Sequence, residues 1–390
     1  MEQPALAVAP VPATGQRVAR LRRLTIRDFR NLAHVVLDVP PRGLALVGDN
    51  GQGKSNLLEA VYYMHLFRSS RGARDTELVR FGAPGFHVAG MAEGTRVDLV
   101  AAGFDRETGR RRITLDGVEC ARVSDALGAI PAVTFAPTDV ALVAGAPVDR
   151  RHFLDLLLAS SSRRYLGALR DYRTALAQRN AALRAGTGRS QAAVWEVALA
   201  TNGAVLRLER AAFVTWCRPR IAAIGDSLAE YGSLDVRYRA SVAIDPDADE
   251  DAARDALAAA LAGSRDRDLE RGMTLAGPHR DDLDLRVGEV SLRRFGSAGQ
   301  QRSAAIALRL LECGWSRERG ECEPVMLLDD PLAELDRGRA ARVLDLFTAR
   351  PAGQVILAVP RDDDVPEALS DLARCEVRGG VVKPVGDRGA

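Results

Sequence analysis

A glycine-rich octapeptide near the start of the chain limits the fold more than any other feature. Residues 48–55 read Gly-Asp-Asn-Gly-Gln-Gly-Lys-Ser and fit the pattern G-x-x-x-x-G-K-[S/T]. The apolar run Leu44–Val47 before them predicts a buried strand, and the spacing of apolar residues from Leu57 to Tyr62 predicts a helix after them. A glycine-rich loop between a strand and a helix is the arrangement that holds nucleotide phosphates.

The residue types of this loop match that chemistry. Glycines let backbone N–H groups face a phosphate, and the following helix presents its positive end to the same anion. Lys54 is predicted to contact the β- and γ-phosphates, and the Ser55 hydroxyl is predicted to bind Mg²⁺. Only two lysines, Lys54 and Lys383, occur in a chain otherwise supplied with arginine, so a lysine here is informative. We therefore predict ATP and Mg²⁺ as cofactors, held by Gly48, Asp49, Asn50, Gly51, Gln52, Gly53, Lys54 and Ser55.

A second apolar run, Val325–Leu328, ends in two carboxylates, Asp329 and Asp330. Beside a phosphate loop, Asp329 is predicted to hold Mg²⁺. Asp330 is predicted to orient or deprotonate the attacking water, as a catalytic residue together with Lys54. Taken alone, the same run is also typical of a strand that enters a solvated turn. Asp336 is expected to cap the next helix.

A third motif, residues 297–301, reads Ser-Ala-Gly-Gln-Gln and precedes a predicted helix that includes 302–311. Two interpretations are open from the residues. Ser297 suits a plain helix N-cap, and Ser297 with Gly299 also suits a phosphate contact at the positive end of the helix.

The composition excludes several classes of protein. A net charge of +2 over 390 residues rules out a bulk polybasic chain, so a nucleic-acid surface must be local. No apolar run is long enough for a membrane span, and five dispersed cysteines indicate reduced thiols, so a cytoplasmic location is expected. From about Asp149 to Leu261 the apolar spacing is helical, with Leu199, Leu206 and Phe213 seven residues apart. This stretch fits either a helical arm folded into a hairpin or the packed helices of a second lobe.

Taken together, the motifs resemble the ABC-type ATPase heads of the SMC family and, within it, bacterial recombination mediators. The residues that carry the resemblance span 24–360 and are 28–32 (Asp-Phe-Arg-Asn-Leu), 51–60, 135–137, 277–282 (Gly-Pro-His-Arg-Asp-Asp), 299–302, 327–330 and 334–336. The resemblance implies an α/β fold, an ABC-type P-loop ATPase head with a helical lever domain inserted between its two halves. The implied parts are a disordered lead at 1–20, head halves at 21–148 and 266–390, and the lever at 149–265.

The resemblance also implies a function. It adds Arg30, Asn31 and Asn56 to the nucleotide site, and it implies that Ser297, Gly299 and Gln300 bind the nucleotide of a second copy. ATP would then join a homodimer that acts as a weak, DNA-stimulated ATPase. The implied role is DNA repair, recombination, replication restart and the SOS response at gaps between single- and double-stranded DNA. The implied partners are RecR, with RecO and RecA downstream.

Other assignments remain open at this stage. Arginines gather at 17–30, at 68–74 and at 110–112, where they either meet DNA or form solvated faces paired with acids. His279 and Arg280 either reach a ligand or belong to a structural turn.

Several residues depart from the family pattern. Asp49 adds a carboxylate to the phosphate loop, and Pro331 and Ala333 replace small or hydroxyl residues. Residues 358–360, Ala-Val-Pro, lack the hydroxyl groups typical of that strand end, which bears on hydrolysis. The alternatives are an ATPase subunit of a transporter and an ATP-gated DNA clamp that scarcely turns over.

Overall fold

The computed structural model describes residues 17–185, 189–228, 233–245, 248–320, 322–333, 335–348 and 353–385. They divide into two compact units, each built from separated parts of the chain. The first unit takes its residues from 1–134, 313–328 and 350–390, and the second from 135–312 and 329–349.

The described residues contain the following elements. The strands are β1 Arg17–Val18, β2 Arg20–Phe29, β3 Leu32–Asp38, β4 Gly43–Val47, β5 Gly85–Glu93, β6 Leu99–Asp105, β7 Arg111–Leu115, β8 Val118–Glu119, β9 Ala132–Phe135, β10 Leu234–Arg239, β11 Asp282–Val287, β12 Val290–Ser291, β13 Cys322–Glu323, β14 Val325–Asp329, β15 Val355–Val359, β16 Ala373–Arg378 and β17 Val381–Pro384. The helices are α1 Lys54–Leu66, α2 Asp75–Leu78, α3 Val123–Ala126, α4 Ala141–Ala144, α5 Pro147–Ser161, α6 Arg163–Arg184, α7 Arg189–Ala193, α8 Glu196–Ser227, α9 Glu250–Arg271, α10 Leu292–Phe295, α11 Ala298–Gly320 and α12 Arg337–Thr348.

The strand before the phosphate loop lies inside a six-stranded sheet of order β17-β16-β4-β15-β14-β9. β4 runs parallel to both of its neighbours, β15 and β16. Leu44, Ala45 and Leu46 are fully buried, as expected for a parallel strand covered on both faces. The apolar runs at 44–47 and 325–328 are thus confirmed as buried strands, and residues 355–359 form a third one, β15. The sheet belongs to the first unit except for Phe135 and Asp329, the last residues of β9 and β14.

An antiparallel sheet of order β3-β2-β5-β6-β7-β8 completes the first unit. Its inner face packs against α1 through an aromatic cluster, in which the rings of Phe29 and Tyr63 lie 5.2 and 5.3 Å from that of Phe86, both edge to face. Such pairs add to the free energy gained by burial. The packing fixes α1, and with it the phosphate loop at its start. Asp116 and Gly117 form the turn that joins the antiparallel strands β7 and β8.

The second unit contains the helical stretch that fitted either a hairpin arm or the packed helices of a second lobe. α6 packs on α8, and α8 packs on α9. Leu199, Leu206 and Phe213 of α8 are each 1% exposed, so the seven-residue spacing marks a buried stripe. The residues that separate the two helical stretches in the sequence, 186–188, lie outside the described residues.

Two parts of the chain differ in secondary structure from the prediction. β10 is a strand within the stretch predicted to be helical, and it pairs antiparallel with β11. Its Leu234 and Val236 are buried and alternate with more exposed polar residues, which is the two-residue period of a strand. Arg17–Val18 forms β1, parallel to β13, although 1–20 was expected to be a disordered lead; residues 1–16 lie outside the described residues.

Two predictions made from composition concern membrane spans and disulfides. Within the described ranges, no helix is both long enough and apolar enough to span a bilayer. The five cysteines all lie in these ranges, and none of them forms a disulfide.

Candidate nucleotide-binding site

The phosphate loop occupies the turn between β4 and α1 in the first unit. Gly53 is the N-cap of α1 and, being glycine, contributes no side-chain acceptor to the first N–H groups of the helix. A helix start of this kind presents backbone donors and the positive end of the helix dipole to an anion. The predicted strand, loop and helix are therefore all present, in the order that phosphate binding needs.

Lys54 is folded back over this loop. Its side chain is buried, and Nζ donates to the carbonyl oxygens of Gly48 and Asp49, the latter at 2.9 Å. An ammonium group has three donors and no acceptor, so it needs oxygen partners when it leaves water. Phosphate oxygens satisfy the same requirement, and the position of Lys54 is thus suited to a triphosphate.

Asn31 braces the loop from the turn between β2 and β3. Its Nδ2 donates to the carbonyl oxygen of Gln52 at 3.0 Å, and its Oδ1 accepts from Nδ2 of Asn56 at 2.8 Å. The resemblance assigned Asn31 and Asn56 to the nucleotide. In the structure Asn31 links Gln52 of the loop to Asn56 of α1, so these two residues position the loop.

A second brace comes from the turn between β16 and β17. The N–H of Gly379 donates to Oε1 of Gln52 at 2.6 Å, and the N–H of Gly380 donates to the carbonyl oxygen of Gln52 at 2.8 Å. Gln52 is thus fixed by residues more than 320 positions away in the chain. This contact could not be predicted from the sequence, because it depends on which strands become neighbours in the sheet.

Arg30 forms an ion pair with a buried carboxylate. Its Nε and Nη2 donate to the two oxygens of Glu59 on α1 at 3.0 and 3.1 Å, and Arg71 and Ser69 also donate to Glu59. Burial alone would raise the pKa of Glu59, but the hydrogen bonds from Arg30, Arg71 and Ser69 hold it below its ordinary value of 4.5. Arg30 therefore ties the β2–β3 turn to the helix that follows the phosphate loop. The signal available in the sequence was a glutamate flanked along the chain by the apolar residues Leu57, Leu58, Ala60 and Val61.

The acidic strand end lies where β14 passes into the second unit. Asp329 is the last residue of β14, and both it and Asp330 are partly exposed. Asp330 has a left-handed backbone, with φ +46°, which is uncommon for a non-glycine residue. Asp336 accepts from the N–H of Arg339 at 2.9 Å, which confirms the predicted cap of α12. Glu334 of this motif lies outside the described residues.

The serine turn begins α11 in the second unit. Oγ of Ser297 accepts from the N–H of Gln300 at 3.2 Å, and Oε1 of Gln300 accepts from the N–H of Ser297 at 3.0 Å. This reciprocal pair is a capping box, so the N-cap interpretation of Ser297 is confirmed. A Cβ at Gly299 would overlap the guanidinium group of Arg339, which shows that Arg339 lies against this turn. The resemblance did not point to Arg339.

The candidate residues therefore fall into two groups. The first unit brings together the phosphate loop, Arg30, Asn31 and Asn56. The second unit contains Asp329, Asp330 and the serine turn, which comprises Ser297, Gly299 and Gln300.

Comparison with known proteins identifies the family. The DNA replication and repair protein RecF of Anaeromyxobacter sp. (strain K) is 40% identical over 378 residues, covering 94% of this chain and 99% of that protein. The chain belongs to the RecF family. No general family model matches it.

Solved structures agree with the RecF assignment. A structure of the recombination mediator protein RecF-ATP in the RecFOR pathway matches with a TM-score of 0.86 and 26% identity, covering 96% of this chain and 100% of that chain. The Smc head domain of Pyrococcus furiosus, bound to the C-terminal domain of ScpA, matches with a TM-score of 0.55 and 18% identity, covering 94% and 96%. This second likeness concerns the fold alone. The predicted fold class, an α/β ABC-type P-loop ATPase head with a helical lever domain inserted between its two halves, is confirmed.

Proposed function

We propose that this member of the RecF family is an ATP-dependent recombination mediator. It binds ATP with Mg²⁺, dimerises around the nucleotide, binds DNA at gap junctions and, with RecR and RecO, helps to load RecA. The observation that carries the proposal is the braced phosphate loop with Lys54 folded over it. RecF relatives are named for DNA replication and repair, which supports the cellular role.

The nucleotide site is proposed to comprise residues 48–56 with Arg30 and Asn31. On ATP binding, Lys54 exchanges the carbonyl oxygens of Gly48 and Asp49 for oxygens of the β- and γ-phosphates. Asn31 and Arg30 keep the loop in place through Gln52 and Glu59, so their contribution includes preorganisation of the loop.

Ser55 and Asp329 are the proposed magnesium ligands. Both offer hard oxygen donors, and Mg²⁺ typically takes only one or two protein ligands, with phosphates and waters completing its shell. In keeping with that, the described residues hold no group of three or more His, Cys, Asp or Glu suited to a metal. When bound, Mg²⁺ neutralises charge on the β- and γ-phosphates. Asp330 is proposed to orient the attacking water and accept its proton.

The serine turn is proposed to act on the nucleotide of a second copy. In the capping box the Ser297 hydroxyl oxygen is an acceptor, and its own proton is left to donate to a γ-phosphate. The 23-residue helix α11 adds its positive end at the same point. ATP then belongs to the interface, and hydrolysis weakens the dimer by removing the γ-phosphate. The division into head halves at 21–148 and 266–390 with a lever at 149–265 is part of this proposal.

Arginines in two of the three sequence clusters pair with surface carboxylates. Arg22 pairs with Glu93, and Arg110 and Arg112 pair with Glu119, all on exposed surface. These arginines fit the solvated, paired interpretation. Binding to DNA is expected to rest on phosphate contacts with little base preference.

Sedimentation with and without ATP tests the proposal. Wild-type protein is expected to sediment as a dimer only with ATP, and Lys54→Ala is expected to stay monomeric because the phosphates lose their cation. Lys383→Ala is the matched control, since Lys383 is the other lysine and is exposed on β17. Dimerisation that survives in Lys54→Ala, or that needs no ATP, contradicts the proposed site.

A clamp with very slow turnover is the second candidate. Ala358 is fully buried near the end of β15, and neither Val359 nor Pro360 supplies a hydroxyl to sense the γ-phosphate. Asp330→Asn distinguishes the two candidates in an ATPase assay on gapped DNA. A weak, DNA-stimulated ATPase loses its turnover in this variant, whereas a clamp has negligible turnover before and after the change. Turnover that is indifferent to DNA would instead favour the transporter-type ATPase.

A further inference from the structure

The hexapeptide 277–282 forms the most heavily constrained turn of the second unit. The Gly277 N–H and carbonyl both bond to the Ser241 hydroxyl, at 3.1 and 2.9 Å. Gly277 has φ +127°, and a side chain there would meet the hydroxyl of Tyr172, so only glycine fits. The carbonyl oxygen of Pro278 accepts from Nη1 of the buried Arg210 at 2.8 Å.

The side chains of His279 and Asp281 also make hydrogen bonds within the unit. His279 has partners on both ring nitrogens, the Tyr172 hydroxyl at 2.7 Å and the Thr274 carbonyl oxygen at 2.9 Å. One oxygen of Asp281 accepts from the Tyr238 hydroxyl and the other from the Ser241 N–H, each at 2.6 Å. His279 is therefore structural, which settles half of the choice left open by the sequence.

Asp282 ends the turn in a paired contact. Its two carboxylate oxygens accept from Nε and Nη2 of Arg150 at 2.7 and 2.9 Å. The Arg150 side chain is 2% exposed, so this pair anchors the turn to α5 inside the unit.

Arg280 is the exception within the turn. Its backbone is held, because its N–H donates to the Gly277 carbonyl oxygen at 2.9 Å. Its side chain is exposed, and among the described residues it makes no hydrogen bond or ion pair. Five residues with internal partners thus hold one guanidinium group outwards from a rigid backbone, which is the preorganisation expected of a ligand contact.

The surrounding charge favours an anionic ligand. The carboxylates linked to the turn by hydrogen bonds are Asp155, Asp281 and Asp282, and the guanidinium groups of the same cluster are Arg150, Arg151, Arg173, Arg210 and Arg280. Five positive groups against three negative ones leave an excess of positive charge. His279 adds none at neutral pH, since burial lowers its pKa. The excess is two positive charges, and Arg280, unpaired among the described residues, carries one of them to the surface.

We propose that Arg280 contacts a phosphate of the DNA backbone. The phosphates of a nucleoside triphosphate need free backbone N–H donors. The turn does not offer them at Gly277, Arg280 and Asp281, because these N–H groups all donate to acceptors within the protein. A single outward cation on a rigid support instead suits a polyanion that meets the protein at separate points. The assignment rests on the proposed function, since it names a residue for its DNA-binding step.

Fluorescence anisotropy with a gapped duplex and saturating ATP tests this assignment across a range of salt concentrations. Arg280→Ala is expected to raise Kd about 3- to 10-fold and to lower the salt slope by about one unit, the loss of one phosphate contact. Arg280→Lys should keep most of the affinity. Arg267→Ala is the matched control, because Arg267 is exposed on α9 of the same unit and forms no ion pair with any residue that the structure describes. Thermal stability should not change in either alanine variant.

The outcomes separate this assignment from the proposed function. If Arg280→Ala binds DNA as tightly as wild type and Arg267→Ala do, the assignment is wrong while DNA binding stands. If Arg280→Ala loses ATP-dependent dimerisation and keeps its DNA affinity, Arg280 serves the nucleotide, and the assignment is again wrong. If the ATP-bound wild-type dimer does not bind the gapped duplex at all, the DNA-binding part of the proposed function fails and the assignment falls with it.

Discussion

Glu59 shows how a single residue supports the phosphate loop without touching nucleotide. It is fully buried and accepts hydrogen bonds from Arg30, Arg71 and Ser69. Replacing Glu59 by Gln removes the charge that both arginines pair with, and is expected to lower the free energy of unfolding by about 2 kcal/mol. Denaturation in urea at pH 7 measures this. Glu77→Gln on the exposed helix α2 is the control and should change stability far less.

The pH dependence of stability follows from the same residue. The pKa of Glu59 is lower in the folded protein than its ordinary 4.5, so the unfolded chain binds its proton more readily. The resulting stabilisation is present above pH 4.5 and is lost as the pH falls through the folded value. The Glu59→Gln variant should therefore lose less stability than wild type between pH 5 and 3. An equal loss in both proteins would show that Glu59 does not carry the effect.

For single residues, the sequence predicts the chemical role of a side chain better than it predicts the hydrogen-bond partner of that side chain. The place of Lys54 in the loop was predictable because it is tied to a local pattern of glycines, and its contact with phosphate stays a prediction. The choice between a helix cap and a phosphate contact at Ser297 was left open, since a capping serine and a phosphate-binding serine share the same neighbours. The bond between Asn31 and Gln52 was not predicted, because it joins two turns that only tertiary packing brings together.

At the scale of elements, the β16–β17 hairpin is expected to control nucleotide affinity from outside the site. A Cβ at Gly380, where φ is +82°, would overlap the Asn31 carbonyl oxygen, so Gly380→Ala should displace Asn31 and loosen its hold on Gln52. We expect ATP affinity, measured by titration calorimetry, to fall about tenfold, since about 1.4 kcal/mol of preorganisation corresponds to that factor. Gly379→Ala is the control, because Gly379 also has positive φ but open space around it. Equal losses in both variants would attribute the effect to backbone strain alone.

The helical hairpin of the second unit should behave as a packed core. Leu206 is 1% exposed on α8, so Leu206→Ala leaves a cavity and is expected to cost about 2 to 5 kcal/mol of stability. Val197→Ala on the same helix, where Val197 is 74% exposed, should leave the urea midpoint nearly unchanged. Similar midpoints for both variants would mean that the burial of Leu206 contributes little to stability.

Elements with a clear period were predictable, and those fixed by distant partners were not. The seven-residue spacing in α8 and the apolar runs of β4, β14 and β15 showed in the sequence because burial imposes them along the chain. β10 was not predicted because it is short and lies between long helices. Its strand conformation depends on pairing with β11, which is distant in the sequence. The turn at Gly277 was recognised as a motif, but its purpose depends on Tyr172, more than 100 residues away.

At the scale of the whole molecule, the proposal requires two incomplete sites to complete each other, and mixing two defective variants tests this. Lys54→Ala spoils the phosphate loop, whereas Ser297→Asp keeps a good helix cap and places a carboxylate where the γ-phosphate of the other chain would bind. Each variant alone should have almost no DNA-stimulated turnover. A mixed dimer carries both defects in one shared site and leaves the other site intact. Because Lys54→Ala is expected to stay monomeric on its own, mixed dimers are favoured, and an equal mixture should recover between about a quarter and about half of wild-type turnover. The Lys54→Ala/Ser297→Asp double variant, mixed with Lys54→Ala, is the control and should recover none, because no chain supplies an intact loop. If loop and serine turn instead act within one chain, the mixture of single variants will stay as inactive as this control.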